Sequence, residues 1–289
     1  MTPVPHCAIL RLVLAAVALL TAAGTASAQA SEGRLKRIDD TKTVKIAYRS
    51  DSNPFSFLNE RQEPVGYTID LCKLIVRSLE QRINAPLSIE WVSVTTRDRF
   101  AAIASGSADM ECGSSTVSLS RMKEVDFSSF TFVENTAVAV VASSGIRGFN
   151  ELRGKKIAVI AGTTNERALA RELQRRQLSA TVVQVGNREE GMAALLDGSV
   201  AAFASDRFLL GGMRGGATLT MLSEDLSVEP YAVVLPRGDS DFRLAVNTAL
   251  AQIFRGSEIL DIFTRWFGGV TSRPNVLIGA VYILGALPD

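Results

Sequence analysis

Two arginines in the first half of this 289-residue sequence stand where a protein can bind an anion. Arg49 directly follows a predicted strand at 44–48, and Arg99 lies with Thr96 in the segment 95–99 that opens a predicted helix. In open α/β sheets ligands bind beyond the carboxyl ends of strands, and a guanidinium presents paired donors to a carboxylate. A cation in the first turn of a helix also opposes the helix dipole and calls for a compensating anion. We therefore take Arg49 and Arg99 as candidate carboxylate-binding groups, with a solvated surface position as the alternative for Arg49.

The second half of the sequence offers hydroxyl groups and one carboxylate. Thr163 and Thr164 lie in a turn between a predicted strand and helix, where free backbone amides can also bind an anion. Asp206 ends the apolar stretch 200–204, where a carboxylate is costly unless a cation pairs with it. Helix capping is the alternative for both places, since Thr163 and Glu166 have capping-box spacing. Together with the arginines, these groups match an α-amino acid, and the second arginine suggests a second carboxylate on the ligand.

The elements that would position these residues alternate between strands and helices, which indicates an α/β fold. Predicted strands cover 44–48, 87–94, 110–113, 156–160, 181–185 and 201–204, and predicted helices cover 68–79, 97–105, 165–176 and 189–197. The order of the first half recurs weakly in the second, because Ser114 stands eight positions after Gly106 and Asp206 eight positions after Gly198. We therefore predict two similarly built lobes.

Two apolar runs, 137–142 and 231–235, are predicted to be extended crossings that join the lobes and form a hinge. The predicted boundaries are 29–138 for the first lobe, 139–233 for the second lobe, and 234–289 for a return to the first lobe. The return segment contains a predicted helical pair at 241–267. The apolar segment 276–287 is short and interrupted by glycines, which predicts a packed terminal segment rather than a membrane span.

Residues 1–28 have the features of a secretory signal peptide, with a short apolar run and small residues before a predicted cleavage after Ala28. Its removal takes away His6, the single histidine, and so excludes a Ser-His-Asp triad, a Cys-His dyad and a histidine-ligated zinc site. Cys72 and Cys112 remain, and two cysteines in an exported protein indicate a disulfide rather than a metal pair. The formal net charge of +1, without a strongly basic stretch, disfavours nucleic acid or an anionic membrane as a partner. No cofactor and no metal is expected.

Several segments share their order with a known family. They are Arg49 with Pro54-Phe55-Ser56, Gly66-Tyr67-Thr68-Ile69-Asp70-Leu71-Cys72, Arg99 with Ser105-Gly106 and Asp109, Glu111-Cys112-Gly113-Ser114-Ser115-Thr116, Leu152-Arg153-Gly154-Lys155, Gly162-Thr163-Thr164, and Asp206. Over roughly residues 34–268 the sequence resembles family 3 of the bacterial extracellular solute-binding proteins, which are periplasmic receptors of polar amino-acid ABC transporters. Within that family the likeness is strongest to glutamate/aspartate-binding proteins.

The resemblance implies a type II periplasmic binding protein fold, with the ligand cleft between two lobes joined by two hinge strands. It implies a monomer without enzymatic activity that closes on a small amino acid in the periplasm and is then recognised by a membrane permease. It also implies a structural disulfide between Cys72 and Cys112.

The family likeness assigns roles to individual residues as well. Arg99 would hold the α-carboxylate, helped by Ser114 and the turn at Thr163 and Thr164, and Asp206 would hold the α-ammonium. Arg49 would bind a side-chain carboxylate, and Thr96 and Thr116 would donate further hydrogen bonds. Arg188 departs from the pattern, because similar glutamate/aspartate binders carry a histidine near this place in the second-lobe cleft. It could replace that histidine at an acidic side chain or change the preferred ligand size, which leaves aspartate against glutamate open.

Two alternatives remain at this point. One is a binding protein for another polar amino acid. The other is an enzyme resembling the cyclohexadienyl dehydratases, which share the two-lobed fold and need a buried carboxylic acid beside a leaving hydroxyl. Glu111, Glu134 and Glu166 are the candidates for that acid, although nothing in their spacing requires the role.

Overall fold

The predicted alternation of strands and helices is present in a computed structural model that describes residues 33–212, 219–271 and 273–288. The predicted signal peptide lies outside the described residues. The strands are β1 Thr43–Arg49, β2 Asp51–Ser52, β3 Ser56–Leu58, β4 Pro64–Val65, β5 Ser88–Val94, β6 Met110–Glu111, β7 Asp126–Val141, β8 Lys156–Ile160, β9 Thr181–Val185, β10 Ala202–Asp206, β11 Leu219–Met221 and β12 Ser227–Leu235. The α-helices are α1 Arg34–Thr41, α2 Tyr67–Ile83, α3 Arg99–Ser105, α4 Thr164–Arg175, α5 Arg188–Leu196, α6 Arg207–Gly211, α7 Ser240–Arg255, α8 Glu258–Phe267 and α9 Val276–Gly285.

One sheet runs through the whole described chain in the order β5-β1-β6-β12-β7-β10-β8-β9, with β11 paired to β7. Strand β1 is parallel to β5 and β6, and strand β8 is parallel to β10 and β9. The antiparallel pair β7–β12 separates these two parallel groups. Each half of the sheet is therefore a small α/β unit, as the sequence repeat predicts. Strands β5 and β9 are the two edge strands of the whole sheet.

Two sets of buried side chains define the lobes. In the first lobe, the apolar faces of α2, α7 and α8 pack on β1 and enclose an aromatic group of Phe55, Tyr67, Phe132 and Phe267. In the second lobe, β8 and β10 form the centre, with α4 against one face and α5 against the other. The first lobe and the second lobe are the parts of the chain that contain these two cores.

The crossing between the lobes lies in β7 and β12. Residues 137–141 pair with β10 and β11 inside the second lobe, whereas residues 231–235 pair with the first part of β7 inside the first lobe. The apolar runs therefore mark the buried strand segments on either side of the crossing. Between them, Glu134 stands opposite Glu229 in the β7–β12 register.

The loop after β1 is held by a glycine that no other residue could replace. Gly66 has φ +136°, and a Cβ there would lie 2.3 Å from the carbonyl oxygen of Phe55. This close approach begins α2 directly against the loop, and the Ser56 hydroxyl accepts a hydrogen bond from the Arg49 amide at 3.0 Å. The backbone that carries Arg49 and Asp51 is thus fixed from both sides.

Two further predicted features are confirmed in the first lobe. Cys72 on α2 and Cys112 after β6 form a disulfide. The helical pair predicted at 241–267 is present as α7 and α8. The terminal segment forms α9, which packs on this lobe, and the hydroxyls of Tyr282 and Tyr67 are hydrogen-bonded at 2.9 Å. Within the described residues, no helix combines the length and apolar character that a membrane span requires.

Candidate ligand-binding cleft

A cavity of about 580 Å³ opens between residues of the two lobes. One wall comes from residues 49–51 and 94–97, at the ends of β1 and β5, and the other from Gly186, Asn187, Glu189 and Glu190, after β9 and in the first turn of α5. Strands β5 and β9 are the opposite edges of the sheet, so the sheet must curl to bring their carboxyl ends together. This is the edge at which parallel α/β sheets bind ligands.

Arg99 and Arg121 form a buried cationic group in the first lobe. Both side chains are buried, and both guanidinium groups lie over the Phe100 ring, with centroid distances of 4.5 and 5.1 Å. Arg99 donates to the Thr96 carbonyl at 2.7 Å, and Arg121 donates to the Thr116 carbonyl at 2.7 Å. The Nε atom of Arg99 has no hydrogen-bond partner among the described residues. Two neighbouring buried cations favour a nearby anion.

Burial is the main influence on the pKa values of these arginines. Burial, reinforced by the Arg121 charge, lowers the pKa of Arg99 to about 9. Burial, reinforced by the Arg167 charge, lowers the pKa of Arg121 to about 10. A carboxylate bound between them would restore the ordinary stability of both charged forms.

Glu111 is a buried acid whose charge acts on both Arg99 and Arg121. Burial raises the pKa of the Glu111 carboxyl, while the Arg99 charge acts in the opposite direction. The carboxylate has room because residue 113 is glycine, since a Cβ there would lie 2.1 Å from Glu111 Oε1 and 3.1 Å from Arg49 Cγ. Glu111 thus supplies a partial counter-charge beneath Arg99 and Arg49.

Arg49 is buried, and its charge acts on Arg99. Burial is what we expect of a binding residue, whereas the alternative was a solvated surface position. The Arg49 Nη2 atom donates to Asp51 Oδ1 at 2.6 Å. Burial, with a contribution from the nearby Arg188 charge, lowers the pKa of the Arg49 guanidinium. Arg49 therefore faces both lobes, although its Nε finds no partner in the described part of the chain.

The predicted hydroxyl groups separate into contacts across the lobes and contacts within one lobe. The Thr164 hydroxyl lies 3.3 Å from the Thr116 hydroxyl and so joins the lobes. Ser114 donates to the Ser52 hydroxyl at 3.4 Å within the first lobe. Thr163 is occupied as the cap of α4, because its hydroxyl donates to the Ile160 carbonyl and accepts from the Glu166 amide. The cap reading of Thr163 is confirmed, and its hydroxyl is engaged by the protein.

Asp206 lies at the end of β10 and is buried. It precedes α6, but its side chain makes no capping hydrogen bond, so the capping alternative is wrong for Asp206. Instead, Asn165 donates to Oδ1 at 2.9 Å, and Arg188 Nη2 lies 3.7 Å from Oδ2. Burial raises the pKa of the Asp206 carboxyl, with Arg188 opposing the shift and Glu229 reinforcing it. A ligand ammonium at Asp206 would stabilise its ionised form.

Arg188, at the first turn of α5, spans the cleft. Its Nη1 lies 3.3 Å from Asp51 Oδ2 and 3.2 Å from the Ser52 hydroxyl on the first lobe. Its Nη2 faces Asp206 on the second lobe. Arg188 therefore links the predicted ammonium site to the predicted side-chain site.

The sequence matches the bacterial extracellular solute-binding proteins, family 3, over residues 44–269. The chain belongs to this family. It is similar to the L-glutamate/L-aspartate-binding protein of Pseudomonas aeruginosa, with 31% identity over 81% of this chain and 80% of the relative. It is also similar to the glutamate/aspartate import solute-binding protein of Escherichia coli, with 28% identity over 88% of this chain and 87% of the relative.

Solved structures confirm the fold of this solute-binding protein. One is an ancestral amino acid-binding protein that is a precursor of cyclohexadienyl dehydratase, with a TM-score of 0.71 and 23% identity. The match covers 81% of this chain and 99% of that protein. The two-lobed type II architecture expected from the resemblance is therefore confirmed.

Of the residues that the sequence assigned to the cleft, Arg49 and Thr96 line the cavity. Arg99, Ser114, Thr116, Thr164, Arg188 and Asp206 make the contacts described above. The sequence reasoning missed other residues that contact this set. Arg121 and Asp51 are two charged examples, since Arg121 lies with Arg99 over the Phe100 ring and Asp51 contacts Arg49 and Arg188. Arg121 lies in a short 3-10 turn without hydrophobic periodicity, so no local pattern marks it. Asp51 lies two positions after Arg49, but Arg49 ends β1 and Asp51 begins β2, so no strand pattern marks the pair.

Proposed function

We propose that this solute-binding protein captures an acidic amino acid, glutamate or aspartate, in the periplasm and delivers it to the permease of an ABC transporter. The observation that carries the proposal is the opposition of a buried arginine pair, Arg99 and Arg121, to the buried Asp206 across the cleft. The Asp206 charge acts on Arg121, so the two lobes present opposite charges to the same space. An α-amino acid carries the complementary carboxylate and ammonium.

In this proposal each group of the ligand has its own partners. Arg99 binds the α-carboxylate, assisted by Ser114 and by the turn that contains Thr163 and Thr164. Asp206 binds the α-ammonium. Arg49 binds the side-chain carboxylate, with Arg188 beside it. The remaining hydroxyls, Thr96 and Thr116, complete the polar lining. The names of the related glutamate/aspartate-binding proteins support the choice of an acidic ligand.

Capture follows from contacts that exist only when the lobes meet. The hydroxyl contact between Thr116 and Thr164 and the ion pair between Asp51 and Arg188 both join residues of different lobes. A ligand that touches both lobes adds to these contacts and therefore stabilises the closed state over the open one. The closed monomer is the form that a permease recognises, after export with removal of the residues up to Ala28.

Isothermal titration calorimetry with L-glutamate, L-aspartate, L-glutamine and L-arginine tests the proposal. Both acids should bind, and Arg49→Ala should weaken the acids much more than glutamine, because Arg49 meets only the side chain of the ligand. Tighter binding of glutamine or arginine than of both acids would contradict the acidic assignment. Equal losses for acids and glutamine in Arg49→Ala would contradict the role of Arg49.

One observation favours a second candidate, the dehydratase-like enzyme. Burial raises the pKa of Glu134 to about 8, reinforced by the Asp206 charge and opposed by the backbone amides of Asn135, Phe208 and Arg207. A buried carboxylic acid that is protonated at neutral pH is suited to general acid catalysis. Glu166 is not comparable, because it is only partly buried. An assay for phenylpyruvate formation from prephenate, with Glu134→Gln as the control, separates the two candidates.

A further inference from the structure

Asp51 occupies an unusual place, because its carboxylate contacts both arginines of the predicted side-chain site. One oxygen accepts from Arg49 Nη2 at 2.6 Å, and the other lies 3.3 Å from Arg188 Nη1. The first arginine belongs to the first lobe and the second to the second lobe. The exposed fractions of the three side chains are 11% for Asp51, 5% for Arg49 and 6% for Arg188. The bridge is therefore largely removed from solvent.

The four side chains that contact one another at this bridge carry two charges of each sign before a ligand is added. Arg49 and Arg188 contribute two positive charges, and Asp51 and Asp206 contribute two negative charges through the contacts given above. The charges of Arg188 and Arg49 lower the pKa of the Asp51 carboxyl although burial acts to raise it, so Asp51 is ionised at neutral pH. A ligand with an uncharged side chain leaves the balance intact, whereas a dicarboxylic ligand adds one negative charge beside Asp51.

We propose that Asp51 is a specificity-determining residue that acts as an internal competitor for the side-chain carboxylate of the ligand. The proposal rests on the acidic-amino-acid function given above. Because Asp51 satisfies Arg49 and Arg188 itself, an acid must either share the two arginines with a like charge or displace Asp51 into the cavity that it lines. The corresponding amide brings no like charge to the two arginines and does not have to displace Asp51. Asp51 therefore lowers the affinity of the protein for an acid relative to its affinity for the corresponding amide.

The substitution Asp51→Asn removes the charge while it keeps the size of the side chain and an acceptor oxygen for Arg49. It also weakens the bridge that helps to close the lobes, but this loss affects acids and amides alike. The ratio of dissociation constants, glutamine over glutamate and asparagine over aspartate, cancels the common loss. Calorimetry at fixed pH and salt concentration should show that this ratio rises at least tenfold in Asp51→Asn.

Asp51→Ser is a second variant that removes the charge with a different shape, and it should move the ratio in the same direction. Glu189→Gln is the matched control, because Glu189 is an exposed acid in the wall of the same cavity. Its charge is screened by solvent, so the ratio should change less than threefold. A circular dichroism spectrum and a thermal melt of each variant confirm that it is folded.

An unchanged or lower ratio in both Asp51 variants would overturn the proposal, as would an equal rise in Glu189→Gln. The proposed function fails separately if the unmodified protein binds neither acid. In that case, acid binding gained by Asp51→Asn would still support the competitor role, and no gain in either Asp51 variant would overturn it.

Discussion

Glu134 gives a quantitative test of the electrostatics at the crossing between the lobes. The residue is 4% exposed, and the pKa of its carboxyl, about 8, exceeds the ordinary value of 4.5. Between these two pH values the folded protein keeps a proton that the unfolded chain has released. The contribution of this group to stability is therefore complete below about pH 4.5 and is lost as pH rises through about 8. The substitution Glu134→Gln removes this loss, because the amide cannot ionise.

The size of the effect follows from the shift in pKa. A shift of about 3.5 units at ~1.36 kcal/mol per unit corresponds to about 5 kcal/mol. The free energy of unfolding of Glu134→Gln, minus that of the unmodified protein, should thus increase with pH and approach this size above about pH 9. Urea denaturation of ligand-free protein, followed by circular dichroism at pH 5, 7 and 9, measures the difference at each pH.

Glu172→Gln is the matched control because its shift has the opposite sign. Hydrogen bonds from Arg175 and Arg176 hold the pKa of Glu172 at about 2, although burial acts against them. Glu172 therefore contributes stability above about pH 4.5 and loses it as pH falls towards about 2. Glu172→Gln should thus be less stable than the unmodified protein, and the difference in free energy of unfolding should not change between pH 5, 7 and 9. If the Glu134→Gln difference were as flat as that of Glu172→Gln, Glu134 would be ionised throughout and our reading of the crossing would be refuted.

Three further outcomes are expected. Asp206→Asn should weaken every amino acid ligand by about 2–5 kcal/mol, because the buried ammonium loses its charged partner, and calorimetry showing unchanged affinity would exclude Asp206 from the ammonium site. Arg99→Lys should weaken acids and amides equally, at least tenfold, since a lysine cannot pair both oxygens of the α-carboxylate; a loss confined to acids would move Arg99 to the side-chain site. Replacing Cys72 and Cys112 with serine should lower the free energy of unfolding by about 4 kcal/mol for a closed loop of this length, since the cysteines are 40 positions apart in the sequence. On chains beginning at Gln29, two reactive thiols in unfolded, non-reduced protein would contradict the disulfide.

The fold was largely predictable because its helices bury one face and its central strands are continuously apolar. Helix α2 is an example, since its buried positions follow the three-and-four spacing that the sequence shows. The place of the lobe crossing was not predictable in this way. The Ala/Val run of β7 marks a buried strand, but the change of pairing partner from β12 to β10 at Thr136 depends on strands far away in the sequence.

The candidate site was predictable where a residue stands at the end of a strand, as Arg49 and Asp206 do. A capping motif and a binding turn look alike in sequence, and only the contacts separate them, since the hydroxyl of Thr163 caps α4 while the carboxylate of Asp206 caps nothing. Arg121 could not be found locally. Its burial depends on the Phe100 ring and the Thr116 carbonyl, which tertiary packing brings to it.

The curl of the sheet makes lobe closure accessible to a fluorescence measurement. The mouth of the cleft is formed by the ends of β5 and β9, the strands furthest in the sheet order from the β7–β12 crossing. In a rotation about that crossing, points at the mouth travel further than points beside the hinge. Arg97 and Glu189 are exposed on opposite sides of the mouth. Because Cys72 and Cys112 are joined to each other, cysteines introduced at Arg97 and Glu189 can carry a donor and an acceptor dye, which turns lobe closure into a fluorescence signal.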